Sequence, residues 1–366
     1  MPTIDQLLQA LAAVIDPNTS KDFVTSKAIK NLTVEGGVDG GIVRFDLQLA
    51  YPAKSQHPEF ENALRIAASA VSGVSSVTIT TSTRVESHAV QRGVQLLPGV
   101  KNIIAVASGK GGVGKSTTAV NLALALSAEG ANVGLLDADI YGPSVPMMMG
   151  VTGRPESLDG KNMEPLENHG IQVMSIGFLV EPDQAMIWRG PMATQALDQL
   201  LKQTNWRDLD YLIVDMPPGT GDIQLTLSQR VPLTGAVIVT TPQDIALLDA
   251  RKGIKMFEKV GVPILGIVEN MAVHICSQCG HAEHIFGQDG GKKMALEFGM
   301  DYLGGLPLDM QIRLQADGGT PTVVADPLGS VAGLYTAIAR KLAVSVAAKA
   351  KDFSAKFPSI TISKNT

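Results

Sequence analysis

The sequence predicts an α/β fold, in which a doubly wound, mostly parallel sheet follows a small α+β domain. After Lys101, short and almost continuously apolar runs alternate with helical stretches. Such runs are typical of strands buried on both faces, and their alternation with helices indicates a parallel sheet covered by helices. Residues 1–85 instead combine an amphipathic helix with alternating strands. The length of 366 residues suits about two domains.

The elements of the small domain follow from its apolar spacing. Apolar residues at helical intervals predict a first helix that is ended by Asp16 and the proline after it. Strands are expected over 42–51 and 76–85, where alternating and β-branched residues dominate. A helix is expected over 58–71, with Ile66 among its inward-facing residues.

Composition also divides the rest of the chain. Residues 86–100 have weak periodicity and two glycines, which predicts a linker. The second domain is expected over 101–350, and the polar residues 351–366 are expected to form a flexible tail.

Charge and hydropathy narrow the possible partners. Thirty Lys and Arg residues against 35 Asp and Glu residues give a formal net charge of −5, which argues against nucleic acid as a partner. No apolar run reaches the roughly 18 residues that a membrane span needs, and the N-terminus lacks the pattern of a signal peptide. The amphipathic stretch over 330–351 is expected to pack on the core rather than bind membrane. A cytoplasmic protein without a membrane partner is therefore expected.

The first strand of the second domain ends in a phosphate-binding motif. Residues 109–116, GKGGVGKS, match the pattern G-x-x-x-x-G-K-[ST] in full, between an apolar strand and a helix. Glycines let backbone N–H groups converge on phosphate oxygens, and the helix N-terminus favours anions. This domain is therefore predicted to be a P-loop NTPase. The ATP-binding residues that this motif predicts are Gly109, Lys110, Gly111, Gly112, Val113, Gly114, Lys115, Ser116 and Thr117.

Two lysines in the loop suggest two roles. Lys115 is expected to reach the β- and γ-phosphates, and the Ser116 hydroxyl to ligate Mg²⁺. Lys110 is an additional cation, suited to neutralising phosphate charge in its own site or across a dimer interface.

Carboxylates follow two further strands. Asp137 and Asp139 come after one apolar strand, and Asp215 ends another, before the sequence PPGTGD. Ligands of open parallel sheets bind beyond the carboxyl ends of the strands, so all three should point toward the phosphate loop. Asp215 is predicted to hold Mg²⁺ together with Ser116, and Asp137 to have a supporting role. The backbone N–H of Gly219 is placed to sense the γ-phosphate.

The two cysteines of the chain, Cys276 and Cys279, stand in a CxxC motif after a further strand. Two thiolates are not enough for a stable zinc or iron–sulfur site, which needs four ligands. His281 or His284 could complete a zinc site, or the pair could form a redox disulfide. Alternatively two chains could supply four thiolates at a two-fold axis, the arrangement that dimer symmetry favours.

The phosphate loop has a family resemblance. KGGVGKST resembles the deviant Walker A motif of the ParA, MinD and nitrogenase iron protein class. The resemblance implies that Lys110 contacts the nucleotide of the partner subunit and that Asp139 orients the attacking water. It also implies that Asn270 contacts the purine ring. The implied catalytic residues are Lys110, Lys115 and Asp139.

The order of motifs makes the resemblance narrower. The phosphate loop, LDADIYGPSVPMMMG, YLIVDMPPGTGD, TTPQDIALLDARKG, ENM and CSQCG together resemble the Mrp/ApbC family of iron–sulfur cluster carrier ATPases. This implies slow ATP hydrolysis with Mg²⁺ and a [4Fe–4S] cluster held by Cys276 and Cys279 across a homodimer. It further implies transfer of the cluster to apoproteins and contact with cluster scaffold proteins.

Two other interpretations stay open at this point: a MinD/ParA-like spatial regulator and a zinc-stabilised metabolic NTPase. Residues 1–84 resemble the N-terminal domain of the metal–sulfur cluster assembly type. The reactive cysteine that such domains often carry is absent after the strand that ends in AYPAKSQHP. The small domain is therefore expected to dock partners or regulate rather than to bind a cluster.

Overall fold

A computed structural model describes residues 1–37, 40–91, 94–179 and 190–349. The predicted flexible tail over 351–366 lies outside the described residues. The linker prediction falls partly within them, at residues 86–91 and 94–100.

The small domain packs two helices against a three-stranded sheet. Its elements are α1 (Ile4–Leu11), β1 (Ile15–Asp16), β2 (Lys21–Asp22), β3 (Ile29–Gly37), β4 (Gly40–Leu49), α2 (His57–Ser69) and β5 (Val74–Thr83). Strands β3 and β4 are antiparallel, whereas β4 and β5 are parallel because α2 connects them. Residues of β4 alternate between the buried face and the other face, as expected for a sheet covered on one side.

Two details of the predicted small domain are wrong. Ile66 is 64% exposed, and the buried residues of α2 are Phe60, Leu64 and Ala68. Residues four apart share a helix face, whereas Ile66 is two positions from Leu64 and lies on another face. The first helix ends at Leu11, before Asp16. Asp16 instead accepts hydrogen bonds at 2.8 Å from the Tyr51 hydroxyl.

The second domain is built around a large sheet. Its elements are β6 (Val100–Ala107), α3 (Lys115–Ala128), β7 (Val133–Asp137), α4 (Val145–Met148), β8 (Leu166–Asn168), β9 (Ile171–Ser175), α5 (Gly190–Lys202), β10 (Leu209–Asp215), α6 (Asp222–Arg230), β11 (Gly235–Thr240), α7 (Asp244–Lys259), β12 (Ile264–Ile275), β13 (Ala282–Glu283), α8 (Gly290–Phe298), β14 (Tyr302–Pro307), α9 (Met310–Asp317), α10 (Thr322–Ala325) and α11 (Ser330–Ala347).

The sheet confirms the predicted fold class. Within the described chain, its strands have the order β13-β12-β11-β6-β10-β7-β9-β8, and β14 also pairs with β12. Among the described strands of this sheet, only the β8–β9 and β12–β13 pairs are antiparallel. Every residue of β10 and β11 is buried, because helices cover both faces. Strand β6 lies between β10 and β11, and the chain crosses over to strands on both sides of it. The connections diverge at this point and leave a crevice at the carboxyl end of β6.

Helix α11 packs on the core, as expected. Its buried residues recur at helical spacing and are Ala332, Tyr335, Ile338, Ala339, Leu342, Ala343 and Val346. In the described part of the chain, no helix is long and apolar enough to cross a membrane.

The described part of the linker is irregular but anchored to the second domain. His88 is buried, and its Nδ1 lies 2.9 Å from Asn102 Oδ1 at the start of β6. The Gln91 side chain donates to the carbonyl of Ser228 at 2.8 Å and accepts from the backbone N–H of Leu233 at 3.0 Å. These bonds hold the connection against the end of α6.

A buried carboxylate joins the two domains. Glu129 follows α3 and accepts hydrogen bonds from the Ser55 hydroxyl at 2.6 Å and from Arg340 Nη1 at 3.2 Å. Its side chain is 2% exposed, and that of Arg340 is 18% exposed. The small domain is therefore hydrogen-bonded to the C-terminal end of α3, the helix that follows the phosphate loop.

We expect Glu129→Ala to lower the free energy of unfolding by about 2–4 kcal/mol, because it leaves Arg340 partly buried without its carboxylate. Chemical denaturation followed by circular dichroism measures this. Glu167→Ala is the control, because its ion pair with Arg207 is more than half exposed on both sides and should contribute less than about 1 kcal/mol. Equal losses in the two variants would contradict the expectation.

Candidate functional site

The phosphate loop connects β6 to α3, and other parts of the protein pack closely against two of its glycines. Gly114, at the N-cap of α3, has a φ of +80°. A Cβ there would lie 2.1 Å from Asn270 Nδ2, and one on Gly109 would lie 2.2 Å from the Asp249 backbone. Both positions therefore require glycine. Cβ atoms on Gly111 and Gly112 would meet nothing within 4 Å, so this side of the loop is open to a ligand.

Lys115 is the buried cation of the site. Its side chain is 6% exposed, and Nζ lies 2.6 Å from Asp215 Oδ1 and 3.8 Å from Asp139 Oδ2. Nζ also donates to the Ser116 hydroxyl at 3.2 Å. Adjacent strands β6, β7 and β10 end side by side and bring these groups together, as predicted.

Asp215 has a free lone-pair position that suits a cation. It is fully buried, and Oδ2 has no hydrogen-bond partner among the residues that the structure describes. Burial raises the pKa of Asp215, whereas Lys115 and the Ser116 hydroxyl oppose this shift. A carboxylate oxygen beside a hydroxyl is the kind of donor set that Mg²⁺ prefers. The residues present therefore fit the predicted Mg²⁺ site of Ser116 and Asp215.

Asp137 and Asp139 differ in what they face. Asp139 is partly buried, and burial raises its pKa while Lys115 opposes the shift. Asp137 is fully buried, and burial together with the charge of Asp215 raises its pKa to about 7. No hydrogen bond or ion pair joins Asp137 to a described residue of the phosphate loop. Of the three predicted carboxylates, Asp139 and Asp215 thus face Lys115, whereas Asp137 bonds its own loop and Ser175.

Three further predicted residues lie around the loop. Lys110 is partly exposed and forms no ion pair within the described chain. Asn270 is buried, and its Nδ2 donates to the Val113 carbonyl at 2.9 Å. The N–H of Gly219 donates to the Ser108 carbonyl at 3.1 Å. In this conformation Asn270 Nδ2 and the N–H of Gly219 both donate to protein carbonyls. Their contacts with a nucleotide therefore stay predictions.

Ser108 and Ser175 were not predicted. The Ser108 hydroxyl donates to the Lys110 carbonyl at 2.9 Å and shapes the loop. Ser175 lies opposite Asp137 in the β7–β9 register. The signal was available, because a polar residue ends the apolar run IQVMS as aspartates end the other strands.

The cysteines lie on a turn between β12 and β13. The turn is closed by the N–H of Cys276 bonding the His281 carbonyl at 2.9 Å. Cys276 is partly exposed and Cys279 is exposed, both as free thiols. Within the described ranges, no three His, Cys, Asp or Glu side chains are grouped to hold a metal. His284 Nδ1 lies 2.7 Å from the Ala272 carbonyl. In this conformation one protomer offers two thiols, and no histidine is grouped with them among the described residues.

Local hydrogen bonds favour a thiolate at Cys276. The N–H groups of Gln278 and Cys279, and the Cys279 thiol, hold the pKa of the Cys276 thiol below its usual range. A thiolate is the form that attacks electrophiles and binds metals.

We expect Cys279→Ala to raise the pKa of the Cys276 thiol, because the thiol donor is lost, and so to slow iodoacetamide alkylation of Cys276 near neutral pH. Alkylation rates of the metal-free protein against pH measure the shift. Ser277→Ala is the control, and an unchanged profile in Cys279→Ala would contradict the expectation.

A parallel sheet that ends in a complete phosphate loop, with a buried lysine between two carboxylates, defines a P-loop NTPase. Comparison with known proteins narrows this class. The family model described as NUBPL iron-transfer P-loop NTPase matches residues 99–343, and that of the iron-sulfur cluster assembly protein matches residues 4–80. The chain belongs to the NUBPL iron-transfer P-loop NTPase family, which confirms the predicted resemblance.

Relatives and solved structures agree with this assignment. An iron-sulfur cluster carrier protein of Pseudomonas fragi is 59% identical over 278 residues, covering 75% of this chain and 97% of its own. One of Haemophilus influenzae is 49% identical over 343 residues, covering 93% and 92%. The structure of a nucleotide-binding protein in complex with ADP from Archaeoglobus fulgidus is 38% identical, with a TM-score of 0.54, covering 60% of this chain and 87% of that one.

Proposed function

We propose that the protein carries an iron–sulfur cluster between two protomers and delivers it to apoproteins, using ATP binding and hydrolysis. The observation that carries this proposal is the placement of the two free thiols relative to the nucleotide site. Strand β12 contains Asn270, which bonds the phosphate loop, and runs on to Ile275, next to Cys276. One continuous strand thus connects the loop to the thiols.

The cluster would be the cargo of this site. Four thiolates are the usual ligands of a [4Fe–4S] cluster, and each protomer supplies Cys276 and Cys279. An isologous dimer presents the same pair twice across its axis. The names of the relatives and of the N-terminal family model support iron–sulfur cargo. Free thiols also suit the reducing cytoplasm.

The nucleotide site would work through the residues around Lys115. Ser116 and Asp215 would hold Mg²⁺, which neutralises phosphate charge when bound. Lys115 would exchange its carboxylate partners for the β- and γ-phosphates, and Asp139 would then hold the attacking water. Lys110 would approach the phosphates of the partner's nucleotide. ATP would in this way shift the population of dimer states and change the cluster site.

Anaerobic reconstitution with iron and sulfide tests the proposal. We expect the absorbance of an iron–sulfur cluster and about four irons per dimer, with transfer to an apoprotein scored by the activity that the apoprotein regains. Uptake of zinc alone would overturn the carrier function. ATP-dependent pelleting with lipid vesicles or DNA, without cluster uptake, would instead support a spatial regulator.

A further inference from the structure

We propose that Asp137 is a positioning residue for ATP hydrolysis, which acts by holding the backbone of Asp139 in place. This inference rests on the proposed function, because it assumes that Asp139 orients the attacking water. It assigns a role to a buried carboxylate whose hydrogen bonds go to Asp139, Val145 and Ser175.

The Asp137 carboxylate closes the loop that carries Asp139. Oδ1 accepts the backbone N–H of Asp139 at 3.1 Å, and Oδ2 accepts the backbone N–H of Val145 at 3.2 Å. Val145 is the first residue of α4, so the loop over 138–144 is bonded to one side chain at both of its ends. A buried carboxylate with backbone donors on both oxygens is a rigid anchor.

Strand β9 completes the anchor. The Ser175 hydroxyl donates to Asp137 Oδ2 at 3.0 Å and accepts the N–H of Gly177 at 3.0 Å. A Cβ on Gly177 would lie 3.2 Å from both Pro143 and Pro146. The end of β9 therefore packs directly on the loop, and Asp137 lies between the two.

The position of Asp139 depends on this anchor. Asp139 Oδ2 is 3.8 Å from Lys115 Nζ, too far for a hydrogen bond, so that ion pair does not orient the carboxylate. The backbone N–H groups of Tyr141 and Gly142 instead bond the Asp139 carboxylate, so the backbone of the loop over 138–144 determines where it lies. Small displacements of a group that positions a reactant lower the rate while leaving substrate binding intact.

Asp137→Asn removes part of the anchor with little change in shape. The amide has one acceptor oxygen, whereas two backbone N–H groups point at the two carboxylate oxygens. We expect kcat for ATP hydrolysis to fall about tenfold, with KM and the affinity for a fluorescent ADP analogue within about twofold of wild type. Asp159→Asn is the matched control, because Asp159 accepts the N–H groups of Lys161 and Asn162 in an exposed loop. That variant should keep the wild-type kcat.

The double variant Asp137→Asn/Asp139→Asn separates positioning from general stability. If Asp137 acts through Asp139, the double variant should be no slower than Asp139→Asn alone. Independent, multiplying losses, or a wild-type kcat in Asp137→Asn, would overturn the proposal. An unchanged kcat in Asp139→Asn would overturn the role of Asp139 in the proposed function instead. If Asp137→Asn does not fold, Ser175→Ala replaces it, with an expected loss of about threefold and the same absence of further loss beside Asp139→Asn.

Discussion

Replacing Lys115 with alanine is expected to lower kcat for ATP hydrolysis by at least about 100-fold. Lys115 is the buried cation of the phosphate loop, and its Nζ lies 3.8 Å from Asp139 Oδ2 and 2.6 Å from Asp215 Oδ1. Without it, these buried acidic groups would face the phosphates with no opposing charge. Steady-state hydrolysis measures the fall in kcat. Equilibrium binding of a fluorescent ADP analogue measures any loss of nucleotide affinity.

Lys101→Ala is the matched control for Lys115→Ala. Lys101 of β6 forms an ion pair with Asp210 of β10 at 2.7 Å, at the ends of these strands that lie opposite the phosphate loop. This variant should hydrolyse ATP at the wild-type rate. Cluster transfer should also fall in Lys115→Ala if ATP drives delivery. Lost hydrolysis with unchanged transfer would contradict the proposed coupling, and unchanged hydrolysis would contradict the role of the loop.

Replacing Cys276 with alanine is expected to reduce reconstituted iron from about four per dimer to background. The variant leaves one thiol per protomer, so a dimer can offer only two of four ligands. In the described chain no other metal-binding side chains are grouped to compensate. Iron analysis and visible absorbance after anaerobic reconstitution measure the loss.

The control for this variant is Ser277→Ala, which changes the residue after Cys276 but keeps both thiols. It should load the wild-type amount of iron. ATP hydrolysis should persist in Cys276→Ala, because the thiols lie outside the phosphate loop. Retention of a full cluster by Cys276→Ala would contradict the proposed ligand set.

Motifs made much of the site predictable. The spacing of residues 109–116 and the polar ends of apolar strands identified the loop, Lys115, Asp139 and Asp215, because phosphate binding and parallel sheets restrict which residues can stand there. The engagement of Asn270 by the Val113 carbonyl was not predictable. This hydrogen bond depends on how close β12 lies to the loop, and no local sequence pattern relates these two distant segments.

Local errors had a similar cause. Ile66 is apolar but exposed. Its inward orientation was wrongly predicted because helix periodicity alone does not say which of several overlapping apolar faces meets the sheet. The end of the run IQVMS marks Ser175 as a polar strand end, but its role depends on its register opposite Asp137, which the sequence does not give.

Fold class, phosphate loop and CxxC pair follow from the order of residues, because strand burial, loop geometry and thiol spacing are local properties. The tertiary structure decided the rest. It placed Lys115 between Asp139 and Asp215, turned Asp137 toward Val145 and Ser175, and left Cys276 and Cys279 without a third ligand in the described protomer. These outcomes depend on which strands become neighbours, and strand order arises from packing the whole chain around one core.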